Sequence, residues 1–308
     1  MEMTAQRRWL HRYAILVACA TFVLIIAGAL VTSNDAALSI PSWPLPLHWP
    51  SAMGPGGRFE LTHRIIAGTV SALTVLLALW LWRSEPRRWV RRLGAVAVLA
   101  IMAQAVLGGI TVLFELPVAI SVSHACLGQA FFCIVVSLAL FTGSDWRWDE
   151  AALEDRSAPS LRQISTATTA AIFLQLMLGA AFRHKGIGII PHIIGAGLVT
   201  VGVLWLLARV LGAYSQEPRL KRPTLLLGAL LVVQLFLGIA SYILRVAAVN
   251  APQPLPPLVD VTTTHVAIGA LVLVTSLVVT LQAFRLVKGH PRTSEVRSQG
   301  QEVRMTAG

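Results

Sequence analysis

Eight long apolar stretches, separated by short polar gaps, divide the chain at residues 13–32, 61–82, 93–113, 119–142, 162–182, 188–211, 224–246 and 260–285. Each is near the roughly 20 residues that a helix needs to cross a bilayer core, so the pattern predicts an all-α integral membrane protein of eight transmembrane helices. The polar gaps alternate in charge. Lys and Arg crowd into residues 7–12, 83–92, 147–162, 209–222 and 285–304, whereas the other gaps hold only Arg58, Arg64, Arg183, Lys185 and Arg245. Basic residues concentrate on the cytoplasmic side of membrane proteins. The alternation therefore predicts both termini inside, and with an even helix count each even-numbered helix begins at the outer face. No secretory signal with a small-residue cleavage site precedes the first stretch, which is expected to remain as an anchor.

The two halves of the chain repeat one another. The third stretch carries Gln104-Ala-Val-Leu-Gly108-Gly-Ile-Thr111 and the seventh carries Gln234-Leu-Phe-Leu-Gly238-Ile-Ala-Ser241; the fifth adds Gln175-Leu-Met-Leu-Gly179. His63-Arg-Ile-Ile-Ala67-Gly opens the second stretch and His192-Ile-Ile-Gly-Ala196-Gly opens the sixth. His124-Ala-Cys-Leu-Gly128 in the fourth matches His265-Val-Ala-Ile-Gly269 in the eighth. This predicts two pseudo-symmetric four-helix bundles, residues 1–150 and 151–285, repeated in parallel about an axis along the membrane normal. Residues 286–308 are polar and are expected to form a cytoplasmic tail. The three glutamines are read as packing residues, because polar side chains bond across helix interfaces in membranes.

The histidines call for a different explanation. His63, His124, His192 and His265 each stand near the start of an even helix, hence at one depth near the outer face. In an up-down bundle the second and fourth helices face each other across the diagonal, so His63 is expected to face His124 and His192 to face His265. Two opposed imidazoles are the axial ligation that heme iron accepts. One turn from each histidine stands a small residue, Ala67, Gly128, Ala196 or Gly269, which would clear room for a flat ligand. Zinc fits less well, because no third ligand recurs beside the pairs.

The repeat is broken at one informative point. Glu60, three residues before His63, shares its helix face, and Arg64 adjoins it; the equivalent positions beside His192 are Ile189 and Ile193. A carboxylate so placed can serve in proton transfer, and a guanidinium suits a heme propionate. Glu60 at a helix amino terminus and Arg64 snorkelling to headgroups are the structural alternatives. Before this helix runs the longest outer loop, about residues 33–60, with Pro41, Pro44, Pro46, Pro50, Pro55, Trp43 and Trp49. It is expected to be either a lid over the first site or an inert interfacial loop. His48 and His184 are read as surface residues, and His11 and His290 are given no role.

Composition adds two exclusions. The chain of 308 residues is 56% hydrophobic and 13% charged, with a net charge of +11. So much apolar surface must face lipid, and the basic excess is a topology signal, which excludes nucleic acid as partner. The three cysteines, Cys19, Cys126 and Cys133, lie inside apolar stretches, so no disulfide framework or CxxC metal motif follows.

Eight helices in two halves, Glu60-Leu-Thr-His63-Arg64 opening the second helix, and histidines at helices four, six and eight resemble the heme A synthase family. Gly28-Ala-Leu-Val-Thr-Ser and Ser42-Trp-Pro44 look like that family too, and the resemblance runs to about residue 285. It implies an oxidoreductase of the inner (plasma) membrane that oxidises a heme O ring methyl to formyl by successive hydroxylations, giving heme A for a terminal oxidase. It further implies heme O between His63 and His124, with Glu60 as the catalytic carboxylate and Arg64 beside it. A resident heme b would be held by His192 and His265. A heme O synthase, an electron donor such as quinol and further copies of the chain are the partners it suggests. Many bacterial members carry a cysteine pair in the first outer loop. This chain has none, so thiol-dependent chemistry is not carried over. Two non-catalytic alternatives stay open: a diheme b-type electron-transfer protein, and a heme-handling assembly factor.

Overall fold

The computed structural model describes residues 5–44, 54–144, 146 and 153–288. They form eight helices: α1 (Ala5–Ser33), α2 (Pro55–Ser84), α3 (Arg88–Leu113), α4 (Val118–Thr142), α5 (Leu161–Arg183), α6 (Ile190–Ala213), α7 (Pro218–Ala247) and α8 (Pro256–Leu286). All eight are long and apolar enough to cross a membrane, so the chain is a multi-pass membrane protein. Each expected stretch coincides with a helix, and most helices overrun their stretch. α1 takes in Arg7, Arg8 and Arg12, because helical hydrogen bonding continues past the point where apolar side chains stop.

Local chemistry fixes the starts. Pro55, Pro218 and Pro256 stand in the first turn of α2, α7 and α8, where the missing N–H has no helical acceptor to lose. Ser160 and Gln163 close a capping box on α5. Asp155 accepts from the Leu161 and Ser157 N–H groups. Burial works to raise its carboxyl, but those bonds outweigh it and hold Asp155 below the ordinary carboxylate value. Beside it Tyr214 is pushed up to about 12, first by burial and then by the Asp155 charge.

Helix α1 packs on α2 and α4, and α3 on α2 and α4; α5 packs on α6 and α8, and α7 on α6 and α8. Each set of four is thus a ring in which α2 faces α4, and α6 faces α8, across a diagonal. The rings meet through α1 on α8, α4 on α5 and α4 on α8. This placement explains the burial: 67% of the most apolar stretch of α8 is buried, against 11% for that of α7. α8 accordingly carries buried Thr262, Thr263, Thr275, Ser276, Thr280 and Gln282. Thr280 and Ser276 both bond Thr169 of α5, at 2.8 and 2.7 Å.

Two further ties join the rings. At the end where the even helices begin, here called the histidine end, Ser33 bonds Thr262 at 2.9 Å and Arg183 donates to the Thr32 carbonyl at 2.6 Å. At the opposite end the Arg285 guanidinium of α8 lies 5.0 Å over the ring of Trp146, which follows α4. The three cysteines are free. Residues from 289 onward, including His290, lie outside the described residues.

Candidate functional site

The four histidines occupy one structural setting. Each imidazole lies against a glycine of the odd helix that precedes its own in the chain. A Cβ on Gly28 of α1 would stand 3.2 Å from His63 Cε1, one on Gly108 of α3 3.2 Å from His124 Cε1, one on Gly179 of α5 3.0 Å from His192 Cε1, and one on Gly238 of α7 3.2 Å from His265 Cε1. Contacts of that length are tighter than most packed side chains make, so a larger residue at these positions would push the ring aside by a few tenths of an ångström. Helix-borne glycine thus holds open a slot for each imidazole.

Glutamine backs three of the four. Gln104 Nε2 donates to the His124 carbonyl and Gln175 Nε2 to the His192 carbonyl, both at 2.8 Å. Gln175 also meets His192 Nδ1 at 3.0 Å, and Gln234 meets His265 Nε2 at 3.3 Å. In α1 the same place, four residues before the glycine, holds Leu24. Read as general packing residues, the glutamines prove to be partners of the histidines. The signal was present: each Gln precedes its Gly by four residues, one turn on the same face, and a histidine helix follows each time. The small residues one turn from His124 and His265 serve a different end from the one expected. A Cβ on Gly128 or Gly269 would come 3.1 Å from the Gln104 or Gln234 amide, so these glycines admit the glutamine.

His192 and His265 face each other with ring centroids 6.4 Å apart. A metal–imidazole bond is about 2 Å and the ring centre lies about 1 Å behind the nitrogen, so two imidazoles on one ion stand about 6 Å apart, as these do. His63 and His124 lie within electrostatic range of each other. The buried rings of His63, His124 and His265 each meet the main chain of the neighbouring odd helix, at Leu24, Gln104 and Gln234, and no side chain bonds their Nδ1 atoms. No three His, Cys, Asp or Glu side chains converge among the described residues. A bare ion therefore has no closed ligand set, whereas iron carrying its own porphyrin needs two axial imidazoles and nothing more. The residues fit heme.

The first pair has an addition. Glu60 is 3% exposed and forms an ion pair with Arg64 one turn along α2. It also accepts from the Ile40 N–H at 2.9 Å. Arg64 in turn donates to the carbonyls of Ser42 at 2.6 Å, Ile40 at 2.9 Å and Pro44 at 3.4 Å. The pair pins segment 40–44 to α2. Trp43 then lies on Gly109 of α3, where a Cβ would come 2.9 Å from its indole; the next residue back is Gly108, the His124 slot. Pro46, His48, Trp49 and Pro50 lie outside the described residues. Ile189, in the place of Glu60, caps α6 and brings no charge. His184 caps α5, half-buried, and burial followed by the Arg183 charge holds its imidazole below the ordinary histidine value.

A substitution at a slot tests the setting. Gly179→Val is expected to displace the His192 ring and lower the heme held by the His192–His265 pair by about tenfold, the lower bound for disturbing what orients a metal ligand. The thermal midpoint of the heme-free chain should hold, since removing a helix-interior glycine favours the helix. Unchanged heme content would show that the slot is not used.

Known proteins resemble this chain in sequence. Heme A synthase of Lysinibacillus sphaericus (strain C3-41) is 28% identical over 187 residues, which is 58% of this chain and 59% of that protein. Heme A synthase of Brucella anthropi is 30% identical over 166 residues, 50% of this chain and 44% of that protein. The chain thus spans about half the length of the curated relatives it matches. The model of the cytochrome oxidase assembly protein family, COX15-CtaA, matches residues 1–136 and 58–191. Those stretches together take in α1 to α5 and the start of α6, with His63, His124, Glu60 and Arg64 inside them. With more than half of its length matched and an eight-helix membrane fold around the histidines, the chain belongs to the cytochrome oxidase assembly protein family.

Proposed function

We propose that this protein is an oxidoreductase that converts heme O to heme A by oxidising one ring methyl to a formyl group through successive hydroxylations. The observation that carries the proposal is the asymmetry of the two histidine pairs: among the described residues only one has a buried carboxylate, Glu60, a turn from its imidazole. In this reading residues 1–150 form the substrate half and residues 151–285 the resident-heme half. The histidine end faces the outside of the plasma membrane and both termini face the cytoplasm, as the basic gaps require.

His63 and His124 would hold heme O, their rings seated on Gly28 and Gly108. Glu60 would accept or return protons beside the reacting edge. Arg64, committed to Glu60 and to loop carbonyls, would contribute by keeping segment 40–44 and Trp43 over the substrate. His192 and His265 would hold heme b, which when bound supplies single-electron transfer. Gln175 and Gln234 would fix the orientation of those two rings. Quinol as electron donor and a heme O synthase as supplier of substrate complete the picture.

The hydrogen bonding of Glu60 favours one rival. If the carboxylate serves only to latch the loop, the same histidines describe a diheme b-type electron-transfer protein. Cells making this chain together with a heme O source separate the two when their hemes are extracted and resolved by chromatography. Heme A is the expected product. Heme O left unchanged beside bound heme b would favour the electron-transfer protein.

A further inference from the structure

Beyond the His192–His265 pair, toward the histidine end, two arginines stand at the mouth of the second ring. Gly179 touches the His192 ring and Arg183 lies one turn further along α5; Gly238 touches the His265 ring and Arg245 lies two turns further along α7. At about 1.5 Å of rise per residue, the two backbones stand about 6 and 10 Å past the rings. Both residues are partly buried. The Arg245 guanidinium sits 5.8 Å over the ring of Phe182, the neighbour of Arg183 in the chain, and the two cations lie within electrostatic range of each other.

Like charges repel, and the repulsion grows where water is scarce. Acidic side chains usually relieve such a pair. Among the described residues no carboxylate forms a salt bridge with either one, and Asp35 acts on Arg183 only from a longer range. Arg183 spends a donor on the Thr32 carbonyl, and Arg245 makes no hydrogen bond with a described residue. A guanidinium has five N–H donors, so most remain to be used. At the first pair the situation is reversed: Arg64 is neutralised by Glu60.

We infer that Arg183 and Arg245 form a dicarboxylate seat, which takes the two propionate groups of the porphyrin held between His192 and His265. The inference rests on the heme assignment made above and adds an orientation, with the acidic edge of the porphyrin toward the histidine end and its apolar edge toward the bilayer centre. Arginine matches carboxylates in geometry as well as charge, and two cations without acidic partners match a dianion. The alternative is that Arg183 merely ties α5 to α1 and that Arg245 reaches for lipid headgroups.

The full chain in detergent, stripped of heme, separates these roles. A His63→Ala background leaves only the second pair with two imidazoles. Ferric protoheme and its dimethyl ester, which lacks both acids, are each titrated in and followed by the bis-imidazole absorption spectrum. The chain should bind the free acid at least about tenfold more tightly than the ester, the worth of one charged hydrogen bond. Arg183→Gln with Arg245→Gln should abolish that preference. Arg245→Gln alone, which breaks no hydrogen bond of the described residues, should lose part of it and serves if the double variant does not fold. Equal binding of acid and ester by the chain carrying both arginines, or a preference undiminished in the variants, overturns the seat but leaves the histidine pair intact. If neither porphyrin gives a bis-imidazole spectrum, the heme assignment has failed and the seat with it.

Discussion

Glu60→Ala is expected to reduce heme A formation by about 10²–10⁴, the range for losing a positioned acid–base group, while the heme b spectrum of the second pair stays as it was. Glu60 holds two partners at once, the Arg64 guanidinium and the Ile40 N–H. Alanine removes both contacts and strands Arg64, whose side chain is 15% exposed. Breaking a buried pair in this way costs about 3–5 kcal/mol, so segment 40–44 should also loosen. Glu60→Gln separates the two effects, because its amide oxygen still accepts from Ile40 while the charge is gone. If the negative charge does the chemistry, Gln fails as Ala does. Heme A made at near the normal level by the Gln variant would reduce Glu60 to a latch and would remove its charge from the chemistry.

His265→Ala should abolish the low-spin spectrum of the second pair and lower heme b per chain more than tenfold. The 6.4 Å between the His192 and His265 centroids suits two axial ligands on one iron, and alanine leaves one. Gln234→Leu removes only what touches the His265 ring, at 3.3 Å, and should weaken binding by about 10–100-fold. The order of the two variants is as telling as their size. An unchanged low-spin spectrum in His265→Ala would show that this imidazole is not a ligand.

The eight helices were legible because lipid imposes a length and an apolar composition on every crossing. Their ends were less so: α8 begins at Pro256, four residues before its apolar stretch, where a proline start costs nothing. The four histidines were legible as a set because the repeat placed them at matching positions. The slots that seat them were not. Gly28, Gly108, Gly179 and Gly238 look like ordinary small residues until it is known which odd helix lies beside which even one. Leu24, standing where the other odd helices have glutamine, gave no sign of its place until the three glutamines were seen against their histidines. The contact of Trp43 with Gly109 joins residues 66 positions apart, beyond what local pattern can reveal.

The ties between the rings have a consequence for electron flow. Ser33–Thr262 and Arg183–Thr32 join the halves at one end, Arg285 over Trp146 joins them at the other, and α4 lies directly on α8. His124 and His265 ride on those two touching helices. Backbone and side-chain bonds, rather than the surrounding lipid, therefore set the distance between the two pairs. An electron tunnelling from one metal centre to the other would meet a barrier of constant width, whatever the thickness of the membrane around it.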